Sequence, residues 1–256
     1  MKAFTAFFKK EILDLFRSGK ALFLLILFFA VGIMNPAIAK LTPDLMKLLS
    51  AELAESGMVV TDVTVDALTS WTQFFKNIPM ALIAFILICG GCFTKEYDSG
   101  TLVLILTKGI SRRNVLLAKA ALLLSVWSLG YWLCFAVTYG YNAYFWDNGI
   151  ATGLIPASVN WYLFGILVTA LTVLFSVTAS GYGSVLLGTG GSVLALYVIS
   201  FLPKIAKYSP ASLMNSASLL VGTELAADYI PAIASAAVIS IACVALSIPI
   251  FNKKQV

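Results

Sequence analysis

The side chains with the greatest intrinsic reactivity in this sequence are four cysteines, and their surroundings argue against catalysis. Cys89, Cys92, Cys134 and Cys243 all lie inside apolar runs. Cys89 and Cys92 form a C-G-G-C spacing, which in a soluble βαβ unit would suggest thiol–disulfide chemistry. In a membrane helix without a second cysteine pair, the same spacing is more typical of close helix packing through small residues. Helix packing is therefore the favoured interpretation.

The other side chains that usually carry enzyme chemistry are absent or dispersed. The 256 residues include no histidine, which is the commonest general base, proton shuttle and transition-metal ligand. No serine, histidine or paired-acid constellation suits an intramembrane hydrolase. Ion-coupled carriers usually need ionisable groups at mid-membrane. Here Lys119 lies about two turns inside an apolar segment, from where its amine can extend to the surface. No catalytic residue, metal or cofactor is predicted for this chain.

Composition places the chain in a membrane. Hydrophobic residues make up 60% of it, charged residues only 11%, and the mean hydropathy is +0.95. A soluble domain would carry about 25% charged residues. The net charge of +5 comes from lysines and arginines at the ends of apolar segments, where such residues hold membrane proteins in orientation. A nucleic-acid partner is therefore not indicated.

Six apolar stretches are long enough to cross a bilayer as helices. We expect an all-α integral membrane protein, a single transmembrane domain over residues 1–256. An amphipathic helix over residues 1–19 should lie at the membrane interface, because its phenylalanines and leucines recur at three- and four-residue spacing. The spans are predicted at about residues 20–39, 78–93 (or from Trp71), 114–146, 160–179, 184–202 and 230–251.

Three segments should lie outside the membrane, at residues 40–77, 95–113 and 203–228. In the first, Pro43-Asp44 could open a helix. In the last, Ser209-Pro210 is a typical helix start. The apolar run that follows, residues 211–221, is too short to span, so it predicts a short re-entrant or extracytoplasmic helix before the last span.

The distribution of positive charge predicts the orientation. Six spans put both termini on one side, and that side carries twelve of the seventeen lysines and arginines. By the positive-inside rule, both termini and residues 95–113 are expected in the cytoplasm of a multi-pass plasma-membrane protein.

The 95–113 segment carries helix signals of its own. Asp98 can cap a helix that begins at Ser99 and runs for about ten residues. Lys108 in its last turn and Gly109 at its end are conventional stops. Ser111 can cap the third span. On pattern alone, an ordinary cytoplasmic loop and a surface helix with a role of its own fit equally.

A second pattern lies in the fifth span, where Ser184, Gly188 and Ser192 recur every four residues. Small residues at this spacing let another helix approach closely. The approaching helix could belong to the same subunit or to a second copy, and the sequence leaves both open.

The run Glu96-x-x-x-Gly100-Thr101, followed by Leu102 and by Gly109-Ile110-Ser111-Arg112-Arg113, resembles the cytoplasmic loop of type-2 ABC exporter permeases. The resemblance extends to the order of interfacial helix, six spans and a Ser-Pro helix before the last span. It implies that the loop holds a coupling helix, which docks in a groove of a separate ATPase. Arg112 and Arg113 would lie near the ATPase or lipid phosphates, or serve only as positive-inside anchors. The residues expected to form or support the contact are Glu96, Asp98, Gly100, Thr101, Leu102, Gly109, Ser111, Arg112 and Arg113.

The resemblance further implies a half-size permease that pairs with itself or a close homologue and with two ATPase subunits. ATP and Mg would bind the ATPase, since this chain contains no G-x-x-x-x-G-K-[ST] phosphate loop. The expected function is export of a hydrophobic or amphipathic cargo such as a drug, peptide or lipid. The alternative is a non-transporting membrane anchor or sensor subunit that binds a cytosolic partner through the 95–113 segment.

Overall fold

Helices form nearly all the regular structure in the computed structural model, which describes residues 2–55, 65–107, 109–215 and 217–254. No strand occurs within those residues. The α-helices are α1 (Lys2–Arg17), α2 (Lys20–Glu55), α3 (Ala67–Cys89), α4 (Thr94–Asp98), α5 (Thr101–Thr107), α6 (Arg112–Phe145), α7 (Leu154–Thr178), α8 (Tyr182–Ser200), α9 (Ala217–Leu220) and α10 (Ile230–Lys253).

Helices α2, α3, α6, α7, α8 and α10 are each long and apolar enough to cross a membrane. The predicted all-α membrane fold with six spans is therefore confirmed. The third, fifth and sixth spans begin and end within two residues of their predicted bounds. The fourth begins six residues early, at Leu154, because Pro156 falls in its first turn, where proline is tolerated.

The first two spans differ from the prediction at the end of α2 and at the start of α3. Helix α2 does not stop at Ala39 but continues to Glu55, with Pro36 and Pro43 inside it. The residues after Pro43 are mostly leucine, methionine, alanine, lysine and glutamate, all good helix formers, which explains the continuation. Helix α3 begins at Ala67, earlier than predicted, because the Asp66 side chain accepts a hydrogen bond from the Thr69 amide at 2.9 Å.

The chain between Ser209 and Gly222 also departs from the prediction of one apolar helix. Ser209 caps the segment as predicted, accepting from the Ala211 amide, but a 3₁₀ turn over Pro210–Met214 and the short α9 follow instead. The backbone leaves the helical conformation between them at Asn215, whose carbonyl accepts a hydrogen bond from the Tyr229 hydroxyl at 2.9 Å. That bond takes an acceptor that a continuous helix would have used for its own backbone.

Aromatic rings from α3, α6 and α7 make up much of the main core. Trp71, Phe74, Trp127, Tyr131 and Phe164 are all almost fully buried. The polar atoms of the central rings bond to backbone carbonyls: Trp127 donates to Tyr162 at 3.2 Å, and Tyr131 donates to Ser158 at 2.7 Å. Buried Trp and Tyr need such partners, so α6 is held against the start of α7.

Helices α2, α3 and α6 are joined by a buried chain of amides and hydroxyls. Asn77 donates to the side-chain oxygen of Asn35 at 2.9 Å, and Asn35 donates to the hydroxyl of Thr138 at 3.1 Å. Thr138 in turn donates to the Gly32 carbonyl at 2.9 Å. Inside a bilayer these groups have no water with which to form hydrogen bonds. This series of hydrogen bonds therefore holds the three helices in one register.

The contact of α7 with α6 depends on the absence of a side chain at Gly165. A Cβ atom there would lie 2.1 Å from the Trp127 ring. We predict that Gly165→Val forces α6 and α7 apart and destabilises the protein by about 1–3 kcal/mol or more, the usual cost of overpacking. Thermal unfolding of purified protein in detergent measures the loss.

Gly140→Val on α6 is the matched control, because a Cβ atom at Gly140 meets nothing within 4 Å. Equal unfolding temperatures for the two variants would contradict this account of the α6–α7 contact.

Candidate functional site

The 95–113 segment folds as two short helices joined by a glycine turn. Helix α4 ends at Asp98, and Gly100 follows with φ +65° before α5 begins at Thr101. The prediction of one ten-residue helix that Asp98 caps was wrong, because the left-handed backbone at Gly100 breaks the helix. Asp98 therefore closes α4 instead of opening α5, and its side chain is outside the described part of the chain.

The end of the segment agrees with the prediction. Gly109 has φ +82°, a conformation that glycine adopts without strain after a helix. The Ser111 side chain accepts a hydrogen bond from the Asn114 amide at 3.3 Å and so caps α6. Lys108, predicted in the last helical turn, lies outside the described residues.

Helix α5 has one buried face and one exposed face. Leu102 is 1% exposed and belongs to a small apolar cluster with Phe7 and Leu116. Val103 and Leu104 are 42% and 63% exposed. Leu102 thus holds α5 against the rest of the protein, whereas Val103 and Leu104 form an exposed apolar surface on α5.

The charged centre of the site is Lys119, which lies two turns inside α6. Its amine lies 2.7 Å from a carboxylate oxygen of Glu11 on α1 and 3.0 Å from one of Glu96 on α4. It also donates to the Cys92 carbonyl at 3.2 Å. The Lys119 side chain is 2% exposed, so the prediction that it extends to the surface was wrong. Paired acids, not water, neutralise the charge.

Lys10 completes a group of five charges that we call the ion cluster: Lys10, Glu11, Asp14, Glu96 and Lys119. The Lys10 amine lies 2.9 Å from both Glu11 and Asp14 and 3.4 Å from Glu96. Burial lowers the pKa of Lys10, but its hydrogen bonds to Asp14 and Glu11 outweigh burial and raise the pKa overall. Lys10 therefore stays charged at neutral pH, and α1 and α4 are tied to α6 by ion pairs.

Two further cations, Arg112 and Lys254, hold other helix ends. Arg112 donates to the carbonyl of Phe251 at 3.0 Å and also to that of Lys254, at the C-terminus of α10. Lys254 donates to the carbonyls of Val177 and Ala179 at 2.8 Å each, at the C-terminus of α7. Cations suit the unpaired carbonyls and the negative dipole at helix C-termini.

The structure therefore brings together only part of the predicted docking set. Glu96 joins the ion cluster, Leu102 is the buried side chain of α5, and Gly100 shapes the turn. One guanidinium nitrogen of Arg112 bonds to carbonyls at the end of α10, and its expected place near an ATPase or lipid phosphates stays a prediction. Arg113 is exposed.

Sequence reasoning missed Glu11 and Lys10, although a signal was present. Glu11 falls four residues after Phe7 and four before Leu15, within the apolar stripe of α1. An acid at an apolar position predicts a buried partner. Lys119, the odd charge inside an apolar span, is that partner.

The three small residues of α8 that recur every four positions lie in different environments. Ser184 is exposed and Ser192 is half-buried. Gly188 faces α7, since a Cβ atom there would lie 2.4 Å from the Phe175 ring. Gly188 thus allows close packing inside the subunit.

Helix packing is also what the C-G-G-C sequence provides. Cys89 and Cys92 are free thiols, and the two glycines between them lie close to the Tyr182 ring at the start of α8. The Tyr182 hydroxyl donates to the Leu87 carbonyl on α3. The packing interpretation of these small residues agrees with the structure.

The ion cluster yields a test of stability. We predict that Lys119→Met destabilises the protein by about 3–5 kcal/mol, because it removes the buried cation between Glu11 and Glu96 and leaves both carboxylates with only the partly exposed Lys10. Lys9→Met, at an exposed position of α1, is the matched control and should have little effect. Thermal unfolding in detergent is the measurement.

A triple variant, Lys119→Met with Glu11→Gln and Glu96→Gln, should recover much of the lost stability, since no unpaired charge remains buried. A Lys119→Met variant as stable as Lys9→Met would show that the ion pairs contribute nothing.

Comparisons with known proteins agree with this arrangement. The family model described as "ABC-2 family transporter protein" matches residues 5–254. An uncharacterized transmembrane protein of Bacillus subtilis (strain 168), YxlG, is 24% identical over 246 residues, which cover 90% of this chain and 89% of the relative. No solved structure matches significantly. Six apolar helices and a family match over nearly the whole chain lead to one conclusion: the chain belongs to the ABC-2 transporter family and is a transmembrane permease subunit.

Proposed function

We propose that this permease subunit belongs to an ATP-driven exporter and that the 95–113 segment receives motion from a separate ABC ATPase. The observation that carries the proposal is the ion cluster, which ties the helix before the exposed α5 to both α1 and α6. Hydrolysis of ATP would belong to the partner, and this chain would convert movement of that partner into rearrangement of its own spans.

Helix α5 presents a surface that an ATPase can contact. Val103 and Leu104 expose apolar side chains on α5. By the excess of lysine and arginine on this side, we place the segment and both termini in the cytoplasm. Apolar side chains on an otherwise charged surface are typical of a protein contact site. Gly100 and Thr101 set the angle at which α5 is presented.

Helix α5 is mechanically connected to the membrane helices. Leu102 seats α5 on the cluster that includes Phe7 and Leu116. Glu96, on the adjoining α4, shares Lys119 with Glu11. Because packed side chains and short ion pairs leave little freedom for independent movement, a push on α5 would move α1 and the start of α6 together. Such rigid-body transfer is one recognised form of switching.

A half-size permease needs a second permease, identical or closely related, and we propose two ATPase subunits beneath the pair. The exposed faces of α2 and α8 are apolar and include Phe23, Leu187 and Leu194. The spans offer an apolar route, so we propose a hydrophobic or amphipathic cargo, moved out across the plasma membrane.

The second candidate function is a membrane anchor or sensor that uses the same segment to bind a cytosolic protein without transport. The ion cluster would then serve only to hold α5 in place. The two functions differ in one measurable respect: whether a cargo changes the ATPase activity of the complex.

Two variants separate binding of the ATPase from transmission of its motion. Leu104→Arg should reduce co-purification of the ATPase subunit at least tenfold, because it puts a charge into an apolar contact. Glu96→Gln should leave co-purification intact but weaken the response of ATP hydrolysis to cargo severalfold, because Lys119 loses one of its two acids. Both are measured on complexes purified from membranes.

Leu48→Arg, at an exposed leucine near the far end of α2, is the matched control for Leu104→Arg and should leave co-purification unchanged. Failure of any ABC ATPase to co-purify with the unaltered chain would refute the proposal. An ATPase that binds but whose activity no cargo alters would favour the anchor or sensor.

A further inference from the structure

A groove runs between α3, α7 and α8, and Met214 of the 3₁₀ turn Pro210–Met214 also lines it. Its volume is about 440 Å³. Pro79 on α3, Val168 and Trp161 on α7 and Leu186 on α8 contribute to its walls. We call it the lateral groove. It extends along α8 from Leu186 to Tyr197, which is about 16 Å at 1.5 Å per residue.

One side chain that lines the lateral groove, Thr189, has a buried polar group without a hydrogen-bond partner among the described residues. Thr189 is 1% exposed. Hydroxyls in membrane helices usually bond to the carbonyl four residues earlier. On α7, Thr169, Thr172 and Ser176 all do so, at 2.6–2.8 Å. Thr189 leaves its donor and its acceptor unused.

An unpaired hydroxyl buried in an apolar site carries a cost of about 1–3 kcal/mol. A ligand that brings a hydrogen-bonding group to Thr189 would remove that cost. The remaining lining is almost entirely apolar, and no charged residue contributes to it. Such a site therefore suits a molecule with one polar group on a long apolar body.

The surroundings of the lateral groove indicate where that molecule comes from. Ile83, Leu87 and Leu194 also line it and are 51–62% exposed. These side chains lie on membrane-spanning helices, so the opening faces lipid, not water. A ligand would enter sideways from the bilayer and keep any charged headgroup outside.

We propose that the lateral groove binds a long-chain lipidic molecule with one hydroxyl or carbonyl group partway along its chain, and that Thr189 forms a hydrogen bond with that group. The inference deepens the proposed function, because it names the class of cargo and its place of entry. Calling the ligand a cargo rests on that function, whereas binding itself does not.

The probes are radiolabelled 12-hydroxystearate and stearate, which share length and charge and differ by one hydroxyl. Equilibrium binding is measured on the purified full-length chain in neutral detergent, without ATPase. We expect the unaltered chain to bind 12-hydroxystearate about fivefold more tightly, the effect of one net hydrogen bond. Thr189→Val should abolish this preference and leave stearate binding unchanged.

Gly190→Leu fills the lateral groove, because Gly190 lines it and a Cβ atom there meets nothing within 4 Å. It should weaken binding of both probes at least tenfold. Gly191→Leu is the matched control: a Cβ atom at Gly191 is equally free, but the residue does not line the groove. Binding to this variant should match that of the unaltered chain.

Three results would overturn the inference. Gly190→Leu could bind both probes normally, the hydroxyl preference could persist in Thr189→Val, or Gly190→Leu and Gly191→Leu could lose binding equally, as they would if a second copy covered this face of α8. Binding that follows the expected pattern in a chain that recruits no ATPase would uphold the site and refute the exporter.

Discussion

The structure on the side of the two termini depends on one buried amine held between two acids. Lys119 lies in α6 at a depth where an unpaired charge is costly, and Glu11 and Glu96 neutralise it at 2.7 and 3.0 Å. Those acids come from α1 and α4. The ion pairs therefore add to the apolar packing of Phe7 and Leu116 in holding these helices against α6.

The same end of the molecule shows how a membrane protein uses cations away from solvent. Arg112 bonds to the carbonyl end of α10, and Lys254 bonds to that of α7, so each cation completes a helix terminus that would otherwise leave acceptors unpaired. Lys254 also lies 4.2 Å from the ring centroid of Tyr97 on α4. The last residues described in the chain are thus part of the support beneath the 95–113 segment. Positive charge at this end therefore stabilises the fold.

In the membrane-spanning part of the molecule, neutral polar groups connect the helices. Asn35, Asn77 and Thr138 join three helices through one chain of hydrogen bonds. The rings of Trp127 and Tyr131 donate hydrogen bonds to backbone carbonyls on α7. Among the described residues of this part, Ser70, Asn142, Asn160 and Thr189 keep buried polar atoms without a partner, and of these only Thr189 lines the lateral groove. Its hydroxyl is informative there, because a bilayer offers no water to satisfy it.

What the sequence alone determined was the number and character of the helices. Runs of apolar residues are a local property, so six spans, the caps at Ser111 and Ser209 and the turn at Gly109 could be predicted from neighbouring residues alone. The end of α2 was predicted too early, because the good helix formers after Pro43 continue the helix. The helix through Ser99 and Gly100 was predicted wrongly, because Gly100 adopts a left-handed backbone conformation that breaks it. Only the tertiary structure decided what the charges do. Lys119 and Glu11 are 108 residues apart, and Arg112 and Phe251 are 139 apart, so no local pattern could pair them. Their pairing depends on which helix ends meet, and packing of the spans settles that.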